Sequence, residues 1–381
     1  MSERALPLSV LDLSPVPAAG TAGDGLRNTI DLAQVAERAG YRRYWVAEHH
    51  LAPGVASAAP SVLIALIASA TDRIRVGSGA VQMPNTPPLL VAEQFGTIAA
   101  LHPGRIDLGL GRFDLRRILN RQAGKRPGDR PPRPERVVDG LVLPSPSTYS
   151  GEAGFYRLLG ELLDYRLDEP APDYRKQVAD ILAFLDGSYP GPDGRPLHAT
   201  PARGADAQVW VLGSSPGESA RAAGEAGLPF AASYHIQPSF VLETVAAYRE
   251  AFRPSRSLAE PYVMVSADVV VADDDETARE LAAPYGQWVL DIKAGRGAQP
   301  YVTPAEAKGR VWTDEERAGV ADRLATQFVG SPATVSERLD TLARVTGADE
   351  LLVTTVTTHH ADRVRSHELL AKHWASGPRE C

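Results

Sequence analysis

The sequence has little of what would tie a chain to a special environment. Its single cysteine is Cys381, so no disulfide can close within the chain, and a disulfide scaffold is excluded. No basic stretch followed by an apolar core stands at the start, as a secretory signal would require. The most apolar run, Val62 to Ala70, is too short to span a bilayer and reads as a packed helix. A cytoplasmic location is the expectation. The formal net charge is −7 with no acidic or basic tail, which speaks against nucleic acid or a membrane surface as partner. A complete Gly-x-Gly-x-x-Gly turn is also lacking: Gly77-Ser-Gly79 and Gly109-Leu-Gly111 both miss the third glycine.

What is present is an alternation. Short apolar or β-branched runs at Leu8–Leu13, Tyr44–Ala47, Ile74–Val76, Ile106–Leu110, Gln208–Leu212, Phe230–Ala232, Tyr262–Val271 and Leu351–Thr355 read as eight strands. Helical spacing separates nearly all of them: Asn28 to Ala39 with Gly40 as C-cap, the run after Pro60, Leu89 to Ala100, Tyr174 to Leu185, Pro216 to Ala226, Phe240 to Phe252, Ser331 to Arg344 and Asp362 to Trp374. Eight βα units in one chain favour a closed (β/α)8 TIM barrel spanning 1–381 as a single domain. A doubly wound open sheet is the runner-up, weakened by the missing glycine fingerprint.

Two stretches break the rhythm. Residues 113–173 are rich in proline and arginine and read as an insertion or lid after strand four. Between Arg112 and Arg136 there are nine Lys or Arg against three Asp or Glu, a local net of +6, which reads first as a solvated arm. Residues 284–330, before the last βα unit, read as a second irregular excursion.

In such a barrel every strand's carboxyl end faces one mouth, where chemistry is done. Strand two ends in Glu48-His49-His50, strand three in Gly77-Ser-Gly79-Ala80, strand four in Arg112, strand five in Gly213-Ser214-Ser215, and strand eight runs from Thr354 to His360. The Gly-Ser-Ser turn stands before a helix N-terminus, a place suited to a phosphate, with Arg112 one strand away; alone it is also a plain N-cap. Small residues at Gly77 to Ala80 let a flat ligand approach the backbone or make a tight turn. Solvated histidines at a strand end are the plainer reading of His49 and His50. Together the features suggest a phosphorylated planar cofactor beneath histidines.

The ordered set Tyr-Trp-Val-Ala-Glu-His-His (44–50), Val-Gly-Ser-Gly-Ala-Val-Gln-Met-Pro (76–84), Ala-Glu-Gln-Phe-Gly (92–96), His-Pro-Gly-Arg-Ile-Asp-Leu-Gly-Leu-Gly-Arg (102–112), Gly-Ser-Ser (213–215), Ala-Gly-Leu-Pro-Phe (226–230), Val-Gly-Ser-Pro (329–332) and Thr-Gly-Ala-Asp-Glu-Leu-Leu-Val-Thr-Thr (346–355) resembles the bacterial luciferase-like flavin-dependent monooxygenases. The resemblance implies a barrel that takes reduced FMN from a separate flavin reductase. The flavin would react with O2 to a C4a-hydroperoxide that oxidises a small organic substrate, in the manner of bacterial natural-product enzymes. By position His49 matches the catalytic histidine, expected to titrate near neutrality, while Glu48 and His50 hold the site's shape. Gly79-Ala80 matches a non-proline cis peptide under the flavin ring. Arg112, Gly213, Ser214, Ser215 and Ser219 match the phosphate cradle. A homodimer is common among such proteins.

Departures from the family pattern are Phe113-Asp-Leu-Arg-Arg117 after Arg112, and Glu218, whose charge would repel a phosphate unless turned away. The alternatives are an F420-dependent oxidoreductase of the same superfamily and a non-catalytic flavin-binding subunit. A metal-dependent hydrolase using His49, His50, His359 and His360 is disfavoured, because such sites want ligands on several strand ends and strand one ends Asp12-Leu-Ser14 with no histidine pair.

Overall fold

The computed structural model describes residues 6–113, 115, 119, 133–146, 154–165 and 169–376. Eight strands close on themselves: β1 (Leu8–Asp12), β2 (Arg43–Val46), β3 (Arg75–Ser78), β4 (Ile106–Gly111), β5 (Ala207–Gly213), β6 (Phe230–Ser233), β7 (Val263–Val271) and β8 (Glu350–Thr354). Each is parallel to the next, and β8 returns to β1 with Leu351 opposite Leu8, so the ring has no edge. The closed (β/α)8 reading holds and the open sheet falls. The helices stop and start where local chemistry dictates. Helix Ala22–Ala39 begins six residues earlier than the apolar spacing suggested, since a capping box between Thr21 and Asp24 carries it through Gly23 and Gly25. It ends at Gly40, whose φ of 87° is a left-handed cap.

Because strand side chains alternate, the barrel interior is filled in layers. The middle layer is apolar: Leu11, Trp45, Trp210, Ala231, Met264 and Leu352 form one cluster, with Trp45 and Trp210 edge to face at 5.1 Å. The floor is ionic. Arg43, almost fully buried, donates from Nη1 to Asp107 Oδ2 and Gln208 Oε1, both at 2.8 Å, and from Nε to Glu350 Oε1 at 3.0 Å. Arg75 takes the other Asp107 oxygen at 2.8 Å, Tyr262 OH donates to Glu350 Oε2 at 2.9 Å, and Ser9 Oγ donates to Glu350 Oε1. Trp45 Nε1 donates to Asp107 Oδ2 at 2.9 Å, which ties the apolar layer to the floor.

Both excursions carry order. Residues 284–330, expected to be irregular, hold helices Tyr285–Lys293, Pro304–Gly309 and Asp314–Thr326 and a short strand, Phe328–Gly330, that pairs in parallel with the end of β7. The first two helices are too short for a strong periodic signal, and Asp314–Thr326, though thirteen residues long, buries only Gly319, Val320 and Thr326. Capping boxes at Thr303–Glu306 and Thr313–Glu316 start two of them. Within 113–173 the described residues include a hairpin, Arg136–Val138 with Leu141–Leu143, and helix Gly154–Leu162. Arg133 and Arg136 both reach Glu243, at 2.9 and 2.5 Å, so this end of the basic arm lies on the barrel's helices rather than free in solvent. Most of the arm between 114 and 132 lies outside the described residues.

The excursions meet above the mouth. Tyr285, Trp288, Tyr301 and Val289 pack with Val55 of the loop after β2 and Val356 after β8. Tyr285 OH donates to Asp268 of β7, and Arg323 donates to both, at 3.0 Å to Asp268 and 2.9 Å to Tyr285. Tyr156 of the first excursion bonds the Ile292 carbonyl of the second at 3.5 Å. Gly54 is glycine for contact reasons: a Cβ there would stand 2.0 Å from the Gln299 carbonyl oxygen.

Replacing Arg43 by methionine should destabilise the protein by about 3–5 kcal/mol, because Asp107 and Glu350 would remain buried without their cation. Denaturant unfolding measures it; a loss under about 1 kcal/mol would show that the floor network is dispensable.

Candidate functional site

The inward face of β2 continues upward from Arg43 through Trp45 and Ala47 to His49, and this parity puts His49, not His50, over the barrel axis. The backbone N–H of His49 donates to the Ser57 carbonyl at 3.0 Å, which fixes the turn. Its Nδ1 is shut off from solvent and has no hydrogen-bond partner. Among the described residues its Nε2 has none either, and that nitrogen is open toward the mouth. Burial lowers its pKa to about 4, against a raising influence of the Glu48 carboxylate and with a smaller depression from His50. The ring is therefore neutral at pH 7, which corrects the expectation of a group titrating near neutrality: a ring this enclosed cannot readily carry charge.

Glu48 and His50 turn aside and brace the corner. His50 Nε2 lies 2.8 Å from Glu48 Oε1, Gln82 N donates to Glu48 Oε2 at 2.8 Å, and Gln82 Nε2 donates to the Glu48 carbonyl at 2.8 Å. Strand β3 is thereby strapped to β2 just past Gly79-Ala80, whose peptide bond is cis. A Cβ on Gly79 would lie 2.6 Å from Leu11 Cδ1, so any larger residue would fill the floor of the mouth. Ala80 abuts Gly111, where a Cβ would stand 2.9 Å from it, and this brings β3 against the residue before Arg112.

Arg112 is committed. Its Nη1 pairs with Glu218 Oε2 at 2.5 Å, both side chains being partly exposed. Glu218 opens helix Glu218–Glu225, which has no side-chain N-cap, so its first N–H groups are left for a ligand or water. Gly213 lies against Ser219 and the Phe230 ring, and Gly217 N donates to the Ser215 carbonyl at 2.7 Å. Gly213, Ser214, Ser215 and Ser219 thus gather at one helix start with Arg112 beside them, on the half of the mouth that runs from β2 to β5.

The histidines after β8 are not part of this. His360 Nε2 bonds Asp31 Oδ2 at 2.7 Å on the helical layer, and His359 is exposed. Among the described residues no group of three or more His, Cys, Asp or Glu could hold a metal ion. Sequence reasoning missed the other half of the mouth. His235, just after β6, lies with Nδ1 2.5 Å from Ser266 Oγ of β7, beside Asp268 and Arg323. The signal was available, since a titratable residue follows a predicted strand there as it does after β2. Two cavities stand elsewhere, one lined by Tyr234, Phe328 and Arg338 and one by Trp288, Asp291 and Gln299; neither includes the paired strand ends.

A flavin fits these residues. An uncapped helix start flanked by serines suits an anionic group, a glycine floor admits a flat ring, and an unpartnered imidazole nitrogen, His49 Nε2, is open to the space between.

Comparison with known proteins agrees. Residues 6–142 and 181–350 match the family described as luciferase-like monooxygenase. The chain is 41% identical over 367 residues to the uncharacterized protein YvbT of Bacillus subtilis (strain 168), covering 96% of each chain. It is 34% identical over 369 residues to a luciferase-like monooxygenase of Escherichia coli (strain K12), covering 97% of each. Among solved structures, apo-MsnO8 superposes with a TM-score of 0.77 at 31% identity, over 99% of each chain. The chain belongs to the luciferase-like monooxygenase family, and it is a flavin-dependent enzyme that uses O2 as co-substrate.

Proposed function

We propose that the enzyme binds reduced FMN in the mouth, receives it from a separate flavin reductase, and oxidises a small organic substrate with O2. The observation that carries this reading is His49: an inward, neutral imidazole beside a glycine floor, three inward-facing positions above a buried ionic base. Bound there, reduced FMN supplies the two electrons that activate O2 for transfer of one oxygen atom to the substrate. The remaining work belongs to the chain's own residues. Gly213, Ser214, Ser215 and Ser219 would hold the phosphate with the free N–H groups of helix Glu218–Glu225. Gly79 and Ala80 would lie beneath the ring. His49 takes and returns a proton at Nε2, and Glu48 and His50 keep the corner rigid. The aromatic roof of Tyr285, Trp288 and Tyr301 keeps water out. A separate reductase is supported by the glycines: Gly109 would place a Cβ 2.0 Å from the Ser78 carbonyl oxygen, so it serves strand packing rather than a dinucleotide turn.

In stopped-flow mixing of the enzyme with NADH and FMN, the flavin should stay oxidised until a reductase is added; rapid reduction without one would overturn the two-component reading.

His49→Ala should keep FMN affinity and lose on the order of 10²–10⁴-fold in turnover. Because its pKa is lowered to about 4, the active neutral ring is present above that pH and is lost as pH falls through it. The His49-dependent part of turnover should therefore be flat from pH 8 to 5. A His49-dependent fall centred near pH 6.5 would contradict this assignment.

The Arg112–Glu218 pair predicts opposite effects on FMN affinity. Glu218→Gln frees the guanidinium and should tighten FMN several-fold, while Arg112→Ala should weaken FMN about tenfold and leave riboflavin, which has no phosphate, nearly unchanged. Equal losses for both ligands would remove Arg112 from the phosphate cradle.

A further inference from the structure

The half of the mouth opposite the flavin-side residues carries a second inward imidazole with no assigned task. In an eight-stranded ring β6 stands opposite β2, so His235 looks across the mouth toward His49. It belongs to the interior side because its partner, Ser266, has the parity of Met264 in the barrel's apolar layer.

The pair of contacts made by Ser266 points to one tautomer of the ring. Ser266 Oγ lies 2.5 Å from His235 Nδ1 and 3.4 Å from the Ala232 carbonyl oxygen, which can only accept. Both contacts are hydrogen bonds at once only when the serine's single proton points to that carbonyl, its oxygen then accepting from Nδ1–H. The Nε2 lone pair is left over, and among the described residues nothing occupies it. Burial lowers the ring's pKa to about 4; Asp268 opposes that shift, while Arg323 and His49 add to it. Protonation does not remove the lone pair at pH 7.

An unprotonated Nε2 cannot bond a carboxylate, a carbonyl or an ether oxygen, since all of these are acceptors. It calls for a donor. We propose that His235 is a specificity-determining residue whose Nε2 accepts a hydrogen bond from a substrate hydroxyl or N–H, so that the mouth selects small organic molecules bearing such a donor. The inference rests on the substrate entering above the flavin as proposed. It adds that one end of the substrate is held at β6 and β7 while the other is presented to the His49 side. A site built to accept from a donor rejects the analogue that lacks it, because its buried acceptor is then left unpaired.

The test uses the full-length chain and three matched probes titrated by fluorescence: 2-naphthol, 2-naphthylamine and 2-methoxynaphthalene. The hydroxyl or amine probe should bind about five- to tenfold tighter than the methoxy probe, the size expected of one hydrogen bond. Preference for only one of the two assigns the donor as O–H or N–H. His235→Phe should erase the preference without weakening the methoxy probe, and Ser266→Ala should reduce it by releasing the ring's tautomer. Nitrogen NMR of histidine-labelled wild-type protein should show Nε2 of His235 unprotonated at pH 7, a readout that needs no variant to fold. An Nε2–H tautomer, equal affinity for all three probes, or a preference that survives His235→Phe would overturn the proposal. FMN binding measured on the same samples keeps the two claims apart. Normal FMN affinity with equal probe affinities removes His235 alone, whereas loss of FMN binding with the preference intact removes the flavin reading alone.

Discussion

Arg43 is the constraint on which the rest of the barrel depends. A guanidinium with about 1% of its side chain exposed is costly unless acceptors and counter-charges meet it, and Asp107, Gln208 and Glu350 supply them to Nε and Nη1 from three other strands. Burial works against its charge, yet the two carboxylates overcome that and hold its pKa above the ordinary value. The network can form only if β2, β4, β5 and β8 stand in one register. A slip of β2 by a single residue would turn Arg43 toward the helices and Tyr44 into the floor.

Register at the floor decides chemistry at the mouth. Counting up β2 in twos passes Trp45 and Ala47 and arrives at His49, and the same rule on β7 passes Met264 and Ser266 and arrives at Asp268. Residues of the other parity face the helices: Tyr44 OH bonds Asp12 Oδ2 at 2.5 Å, and Asp12 pairs with Arg363 at 2.8 Å. The inward set is apolar in the middle and polar at both ends. That division places a water-poor layer under the mouth, where a neutral imidazole is favoured over a charged one.

Much of this was legible in the chain because barrel strands and their helices are written in local patterns. Tyr44–Val46, Gly40 as a left-handed cap and the Glu-His-His corner could each be read within ten residues. The cis bond at Gly79–Ala80 lies where the resemblance put it. What escaped reading depended on distant partners. His235 acquires its meaning from Ser266, 31 residues away, and Glu218 from Arg112, 106 residues away. The charge of Glu218 was visible, but not that it already satisfies the arginine. The helices within 284–330 were missed for another reason: two are short, and Asp314–Thr326, thirteen residues long, buries only Gly319, Val320 and Thr326, so tertiary packing rather than periodicity marks them. Their capping boxes, Thr303-Pro-Ala-Glu306 and Thr313-Asp-Glu-Glu316, stood in the sequence as the available signal.

The central claim is that one contiguous arc from His49 to Ser219 receives the flavin. A crystal structure of the protein with FMN tests it most directly. The phosphate should sit at Gly213–Ser215 and Ser219 with Glu218 released from Arg112, and the ring should lie between Gly79-Ala80 and His49. FMN bound with the Arg112–Glu218 pair intact and its ring away from His49 would contradict the account.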